Sequence, residues 1–158
     1  MHILIAPNAF KHSLSALDAA LAIEKGLRQS RLPCTCECFP VGDGGDGTGD
    51  LIIKRFDGSR INTSVQDPLG RKINSSFGWL QDEQTAIIEM ANASGLRLLE
   101  SGELAPLRAT SFGTGQQIRE ALERGARKII VGMGGSATVD GGCGMLQALG
   151  IRFLDDQG

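Results

Sequence analysis

Two glycine-rich stretches, each placed after an apolar run, contain the residues of this chain best suited to chemistry. The longer one, residues 131–142, has five glycines between the apolar run Lys128–Val131 and a segment with helical spacing that begins at Cys143. Glycine loses more backbone entropy on folding than any other residue, so a loop this rich in glycine is expected to bring bare N–H groups close to a ligand. A phosphate or another anion at the start of a helix is the commonest ligand of such a loop.

The shorter stretch, residues 42–48, places two carboxylates, Asp43 and Asp46, among its glycines. Its Gly-x-x-x-x-Gly spacing is that of a phosphate-binding loop, but Thr48 stands where the Walker motif requires lysine. Two carboxylates beside backbone N–H groups suit Mg²⁺ and nucleotide phosphates, because Mg²⁺ takes one or two protein carboxylates and keeps most of its waters. Asp43 and Asp46 are therefore candidate metal ligands, and a plain turn rich in Asp and Gly is the alternative.

The longer stretch also matches the outline of the dinucleotide-binding fingerprint, Gly132-x-Gly134-x-x-Ala137, with Asp155 further along the chain. That fingerprint needs the helix to begin within the motif, and here residues 138–142 delay it. A phosphate with a metal ion therefore suits the loop better than NAD does. The loop adds two hydroxyls and a carboxylate to its backbone amides: Ser136, Thr138 and Asp140.

The apolar spacing predicts the elements that position these loops. Up to residue 60 it indicates strands at 2–6 and 34–41 and, after each, a loop and a helix, the first helix capped by Ser13 or Ser15. This order favours a parallel sheet that binds ligands at the carboxyl ends of its strands. Lys11 and Ser13 would then reach the same ligand as the glycine-rich loops, and a solvated surface lysine is the alternative.

Beyond residue 60 the pattern changes to short strands joined by turn-forming residues, which indicates antiparallel pairing and a domain boundary near residues 60–66. Helical spacing returns near residue 116 and again at Cys143, with a strand between the two helices. The predicted strands of this part are at 60–65, 72–80, 85–90, 128–131 and 151–154.

The composition excludes several kinds of partner. A formal net charge of −2 with the two signs well mixed provides no basic surface for nucleic acid or an anionic membrane. No apolar run reaches about 18 residues, so we expect a cytoplasmic protein with no membrane span.

Cys34, Cys36 and Cys38 alternate along one strand face with a spacing unlike common zinc sites, and we interpret them as packing residues.

Several segments, in order over nearly the whole chain, together resemble the class I bacterial glycerate kinases. So many collinear matches are far more specific than any single glycine motif. The matching segments are Ala6–Leu14, Gly42–Thr48, Pro68–Gly70, Ile88–Leu96, Pro106–Thr110, Gly113–Gly115 and Gly132–Gly142.

The resemblance implies ATP-dependent phosphorylation of D-glycerate with Mg²⁺, generally to 2-phosphoglycerate rather than 3-phosphoglycerate. It implies an α/β protein with a Rossmann-like parallel-sheet domain, to which residues 1–62 belong, and an inserted α/β domain with a mixed sheet, of which residues 63–158 are part. Family members are more than twice as long. We therefore expect a truncated N-terminal portion that is inactive without the missing C-terminal part of its chain; a homo-oligomer is compatible with this.

On this resemblance, Asp43 or Asp140 holds Mg²⁺ or accepts the proton of the glycerate hydroxyl, and Lys11 neutralises a phosphate or the glycerate carboxylate. Asn8 and Ala9 replace an Asp and a Ser that are usual in the family, which leaves open which acid is the base. A dinucleotide-dependent oxidoreductase and a non-catalytic assembling fragment are the alternatives. The residues expected around the ATP phosphates are Ser13, Gly44, Gly45, Gly134, Gly135, Ser136 and Thr138.

Overall fold

The computed structural model describes residues 1–10 and 13–157, which divide into two compact units, Met1–Asp43 and Gly44–Gly158. Each unit has its own sheet. Lys11 lies outside the described residues, so its role stays a prediction. No helix in the described part of the chain is long and apolar enough to cross a membrane.

The first unit is a two-stranded parallel sheet with one helix. The helix begins after Ser15, whose hydroxyl accepts a hydrogen bond from the Asp18 N–H at 3.1 Å, so capping by Ser15 is confirmed. Its buried face consists of small residues, which lets it lie close to its neighbours. The elements are β1 (His2–Ile5), α1 (Ala16–Gln29) and β2 (Thr35–Cys38).

The three cysteines near β2 are half-buried within this unit. The sulfur of Cys38 lies 3.6 Å from the carbonyl oxygen of Ala20 in α1, and the sulfurs of Cys34 and Cys36 are 3.9 Å apart. Burial raises the pKa of the Cys36 and Cys38 thiols, so both stay protonated at neutral pH. Among the described residues, no group of three or more His, Cys, Asp or Glu side chains is arranged to hold a metal ion.

The second unit is built on a mixed sheet in the order β3-β4-β5-β6. The first three strands pair antiparallel, whereas β5 and β6 pair parallel with Glu89 opposite Gly132 at their carboxyl ends. The predicted α/β class, with a parallel sheet and a mixed sheet, is therefore confirmed. The elements are α2 (Thr48–Arg55), β3 (Ser59–Gln66), β4 (Lys72–Leu80), β5 (Thr85–Glu89), α3 (Ala91–Ser94), α4 (Phe112–Glu123), β6 (Lys128–Gly132) and α5 (Cys143–Ala148).

Helices cover both faces of this sheet, and alternation along β4 and β5 assigns each side chain to a face. Phe77 and Ile88 face α4 and form a buried cluster with Ile118. Gly78 faces α2, where a Cβ atom would lie 2.7 Å from the side chain of Ile53. Every residue of β5 is buried, as expected for a strand covered on both faces.

Two sequence-based expectations differ from this arrangement. The compact units divide after Asp43 rather than near residue 62, because α2 packs on β4 and β5 of the second sheet. The boundary at residues 62 and 63 between domains of the family fold stays a prediction. The strand predicted at 151–154 was wrong: no strand forms there, and the segment has no neighbouring strand to pair with its backbone.

We expect Phe77→Ala to lower the free energy of unfolding by about 3–5 kcal/mol, because it leaves a cavity in the cluster on the α4 face. Urea unfolding followed by the fluorescence of Trp79, the chain's single tryptophan, measures this unit directly. Phe56→Ala is the matched control, since Phe56 is 60% exposed and its loss should change stability by less than about 0.5 kcal/mol. Equal effects of the two substitutions would contradict this assignment of the core.

Candidate functional site

Gly44 and Gly45 of the short glycine-rich loop lie backbone against backbone with the long glycine-rich loop in the second unit. The Gly134 N–H donates a hydrogen bond to the Gly44 carbonyl oxygen at 2.8 Å. A Cβ atom on Gly132 would lie 2.7 Å from that same oxygen, and one on Gly134 would lie 2.7 Å from the Gly45 nitrogen. These approaches leave no room for a side chain, so glycine is required here. We refer to Gly44, Gly45, Gly132 and Gly134 as the glycine contact.

A third segment, residues 94–96, supports the long loop from its other side. Gly95 and Ser136 form an isolated antiparallel bridge, and the Leu96 N–H donates to the Gly135 carbonyl oxygen at 2.8 Å. The Ala137 N–H donates to the Ser94 carbonyl oxygen at 2.9 Å. Residues 134–137 are therefore held between two other loops at the carboxyl ends of β5 and β6.

The hydroxyls of the long loop form a local turn. The Ser136 and Thr138 hydroxyl oxygens lie 3.1 Å apart, and the Thr138 N–H donates to the Ser136 hydroxyl at 3.1 Å. Ser136 is exposed and Thr138 is half-buried. Both hydroxyls thus lie on the same loop as Gly132 and Gly134 of the glycine contact.

Asp140 accepts hydrogen bonds with both of its carboxylate oxygens at the starts of two helices. Oδ2 accepts from the backbone and hydroxyl of Ser111 at 2.8 Å each, and from the Gly144 N–H at 3.1 Å. Oδ1 accepts from the Gly142 N–H at 3.1 Å. The side chain thereby joins the N-terminus of α4 to that of α5.

The pKa of Asp140 follows from this environment. Partial burial works to raise the pKa, but the hydrogen bonds from Ser111, Gly142 and Gly144 outweigh it and lower the pKa below the ordinary value of an aspartate. A general base works best when its pKa lies near the working pH. The geometry therefore suits Asp140 to positioning the two helices, and its predicted role in catalysis stays a prediction.

The structure brings together some of the sequence-predicted site residues. Asp46 forms an ion pair with Arg97, with 3.2 Å between Oδ1 and Nη1. Asp43 and Ser13 belong to the first unit, so their predicted roles stay predictions, as does metal binding by Asp43 and Asp46. The predicted residues that lie together on the two joined loops are Gly44, Gly45, Gly134, Gly135, Ser136, Thr138 and Asp140.

Sequence reasoning missed a chain of polar contacts behind this site. Glu89, only 7% exposed, accepts from the Gly49 N–H in the first turn of α2 at 2.9 Å and from Asn92 Nδ2 at 3.2 Å. The side-chain oxygen Oδ1 of Asn92 accepts in turn from Arg97 Nη2. A charged residue that ends the apolar run of β5 was the available signal, because a buried carboxylate requires partners.

Comparison with known proteins gives a consistent picture. The model of the "Glycerate kinase family" matches residues 3–158. The chain is 49% identical to "Glycerate 2-kinase" of Escherichia coli strain K12 and 48% identical to "Glycerate kinase" of Bacillus subtilis strain 168, over all 158 residues in each case. It spans 42% and 41% of the length of these two relatives.

A solved structure is similar over nearly the same extent. The crystal structure of putative glycerate kinase 2 from Salmonella typhimurium LT2 superposes with a TM-score of 0.81 at 46% sequence identity. The match covers 99% of this chain and 42% of that one.

We expect Gly134→Ala to lower the free energy of unfolding by about 1–3 kcal/mol, because the new methyl group would force the two loops apart at the Gly45 backbone. Urea unfolding measures the change. Gly102→Ala serves as the control, since a Cβ atom there meets no atom within 4 Å. If both alanine variants were equally stable, the close approach at the glycine contact would be incorrect.

We expect Asp140→Asn to lower the free energy of unfolding by about 2–3 kcal/mol at pH 7. An amide has only one acceptor oxygen, so it cannot accept from every donor that faces the carboxylate. The folded-state pKa of Asp140 lies below its unfolded value, so its contribution is complete above the unfolded pKa and declines as the pH falls below about 4. Unfolding curves of both proteins between pH 3 and pH 7 test this.

The difference in free energy of unfolding between the wild type and Asp140→Asn should therefore become smaller as the pH is lowered. The matched control is the exposed Asp82→Asn variant, in the turn between β4 and β5, which should change the free energy of unfolding at pH 7 by less than about 0.5 kcal/mol. A difference that stayed constant down to the lowest pH would exclude the carboxylate form of Asp140 as the source of the stability.

Proposed function

The chain belongs to the glycerate kinase family, and from this premise we propose that it serves the ATP-dependent phosphorylation of D-glycerate to 2-phosphoglycerate. Because it spans about 42% of the length of its relatives, the proposal concerns the activity of a complete enzyme. The glycine contact is the structural observation that supports the proposal. It packs two loops at the carboxyl ends of parallel strands, where open α/β sheets bind their ligands.

Phosphoryl transfer depends mainly on positioning and on stabilising negative charge. We assign phosphate binding to the backbone of Gly135 and to the hydroxyls of Ser136 and Thr138, whereas Gly134, whose N–H donates to the Gly44 carbonyl oxygen, holds the loop in place. The hydrogen bonds that fix residues 134–137 to two neighbouring loops preorganise these groups, which reduces the cost of ordering them when ATP binds. Asp140 contributes by holding the start of α5 behind the loop.

A bound Mg²⁺ would neutralise charge on the transferred phosphate. Its donor chemistry fits Asp43 and Asp46, because this ion takes one or two protein carboxylates and keeps the rest of its shell as water. We assign acceptance of the glycerate hydroxyl proton to Asp43 rather than Asp140, because both carboxylate oxygens of Asp140 already accept hydrogen bonds at the starts of α4 and α5. Lys11 and Ser13 are proposed to contact a phosphate or the glycerate carboxylate.

The alternative of a dinucleotide-dependent oxidoreductase has less support. Its fingerprint needs a helix that begins within the Gly132-to-Ala137 motif, and α5 begins later, at Cys143. A phosphate-binding role uses the intervening residues, including Asp140, whereas a dinucleotide-binding role leaves them unexplained.

A chimeric enzyme tests the proposal. The 158 residues would replace the matching 42% of the Escherichia coli relative, and ADP formation would be followed with ATP, Mg²⁺ and D-glycerate. We expect glycerate-dependent turnover, with 2-phosphoglycerate identified by ³¹P NMR. Asp43→Asn should lower kcat by about a hundredfold or more, the usual contribution of a general base, whereas Asp82→Asn should not.

Two outcomes would contradict these assignments. A stable, folded chimera that released ADP at the same rate without D-glycerate would show that D-glycerate is not the substrate. Full activity of Asp43→Asn would overturn the role of that residue. We expect the 158-residue chain alone to form no ADP, and detecting glycerate-dependent ADP from it would show that the remaining part of the enzyme is dispensable.

A further inference from the structure

Arg97 is held by two partners that come from different segments of the second unit. Its Nη1 lies 3.2 Å from Asp46 Oδ1 on the short glycine-rich loop, and its Nη2 donates to the side-chain carbonyl of Asn92. Asn92 is itself fixed by the buried Glu89, which also accepts from Gly49 at the start of α2. The guanidinium is therefore positioned by a continuous series of contacts that reaches into the core of the unit.

This arrangement differs from that of an ordinary surface arginine. A solvated arginine loses rotamer entropy when it binds a ligand, whereas one already held by two partners has less to lose. The side chain of Arg97 is still 50% exposed. A guanidinium has five N–H donors, and the contacts with Asp46 and Asn92 leave donors that can meet a further group.

The position of Arg97 relates it to the candidate phosphate loop. The preceding residue, Leu96, donates its N–H to Gly135, and Gly95 pairs with Ser136. The partner Asp46 lies next to Gly45 of the glycine contact. Arg97 thus follows the segment that supports residues 134–137, and its guanidinium contacts Asp46 on the short glycine-rich loop.

We propose that Arg97 binds an oxyanion of one of the two substrates, either the carboxylate of glycerate or a phosphate of the nucleotide. This inference rests on the proposed function and adds a binding residue to it. Arginine suits the task because its planar fork of donors matches the oxygens of a carboxylate or a phosphate. Asp46 and Asn92 act as positioning residues that fix the plane of the fork.

Isothermal titration calorimetry of the chimeric enzyme, whose unsubstituted form is the wild type in this experiment, tests the proposal with D-glycerate and with MgATP as separate probes, in buffer free of phosphate and carboxylates. We expect Arg97→Met to weaken the binding of one probe by about tenfold or more, the usual loss for a hydrogen bond to a charged group. Binding of the other probe should change by less than twofold. The affected probe identifies which oxyanion Arg97 contacts.

Arg124→Met is the matched control. Arg124 is 47% exposed and forms one ion pair, with Glu120 at 3.1 Å, at the opposite end of α4 from Ser111. It should leave both affinities unchanged. Arg97→Lys, which keeps the charge but loses the planar fork, should restore part of the lost affinity, a rescue that a merely structural role would not produce.

The outcomes separate this inference from the function on which it rests. If the wild-type chain bound a probe and a folded Arg97→Met variant bound both probes as tightly, Arg97 would have no such role and the proposed function would stand. If Arg97→Met failed to fold, equal affinity of Arg97→Lys and the wild type for both probes would likewise overturn the inference. Binding of neither probe by the folded wild type would count against both proposals.

Discussion

The backbone contact between the two glycine-rich loops, which includes the hydrogen bond from the Gly134 N–H to the Gly44 carbonyl oxygen, is the constraint on which the candidate phosphate loop depends. It forms only because neither Gly132 nor Gly134 has a side chain, since a Cβ atom on either would collide with the backbone of the other loop. The short loop, with Gly44 and Gly45, leads into α2, and the long loop, with Gly132 and Gly134, leads into α5. One backbone contact therefore fixes the starting points of two helices with respect to the end of the sheet.

One buried and one half-buried carboxylate complete this arrangement at the helix starts. Glu89 accepts from the first turn of α2, and Asp140 accepts from the starts of both α4 and α5. Helix N-termini present N–H groups without intrahelical partners and a partial positive charge, so an ionised carboxylate is stabilised there. These two acids consequently organise the backbone, whereas Asp43 and Asp46 on the short glycine-rich stretch are exposed.

The sequence predicts those parts of the fold that depend on neighbouring residues. The hairpin between β3 and β4 was predicted from its turn, where Asp67 accepts from the Leu69 and Arg71 N–H groups, and the α1 cap from Ser15. The contacts that define the site join residues far apart in the chain, such as Ser111 and Asp140. Residue type and spacing indicated that Asp140 mattered but could not show that its partners would lower its pKa.

The same limit explains why Arg97 was missed. An arginine next to a polar loop has no periodic pattern, and it becomes distinctive only when Asp46 and Asn92 are seen to hold it. Surface ion pairs contribute little to stability, so the Asp46–Arg97 pair adds little to the free energy of unfolding. A contact that adds little stability but fixes a cation beside the glycine contact is better explained by recognition of an anion than by folding.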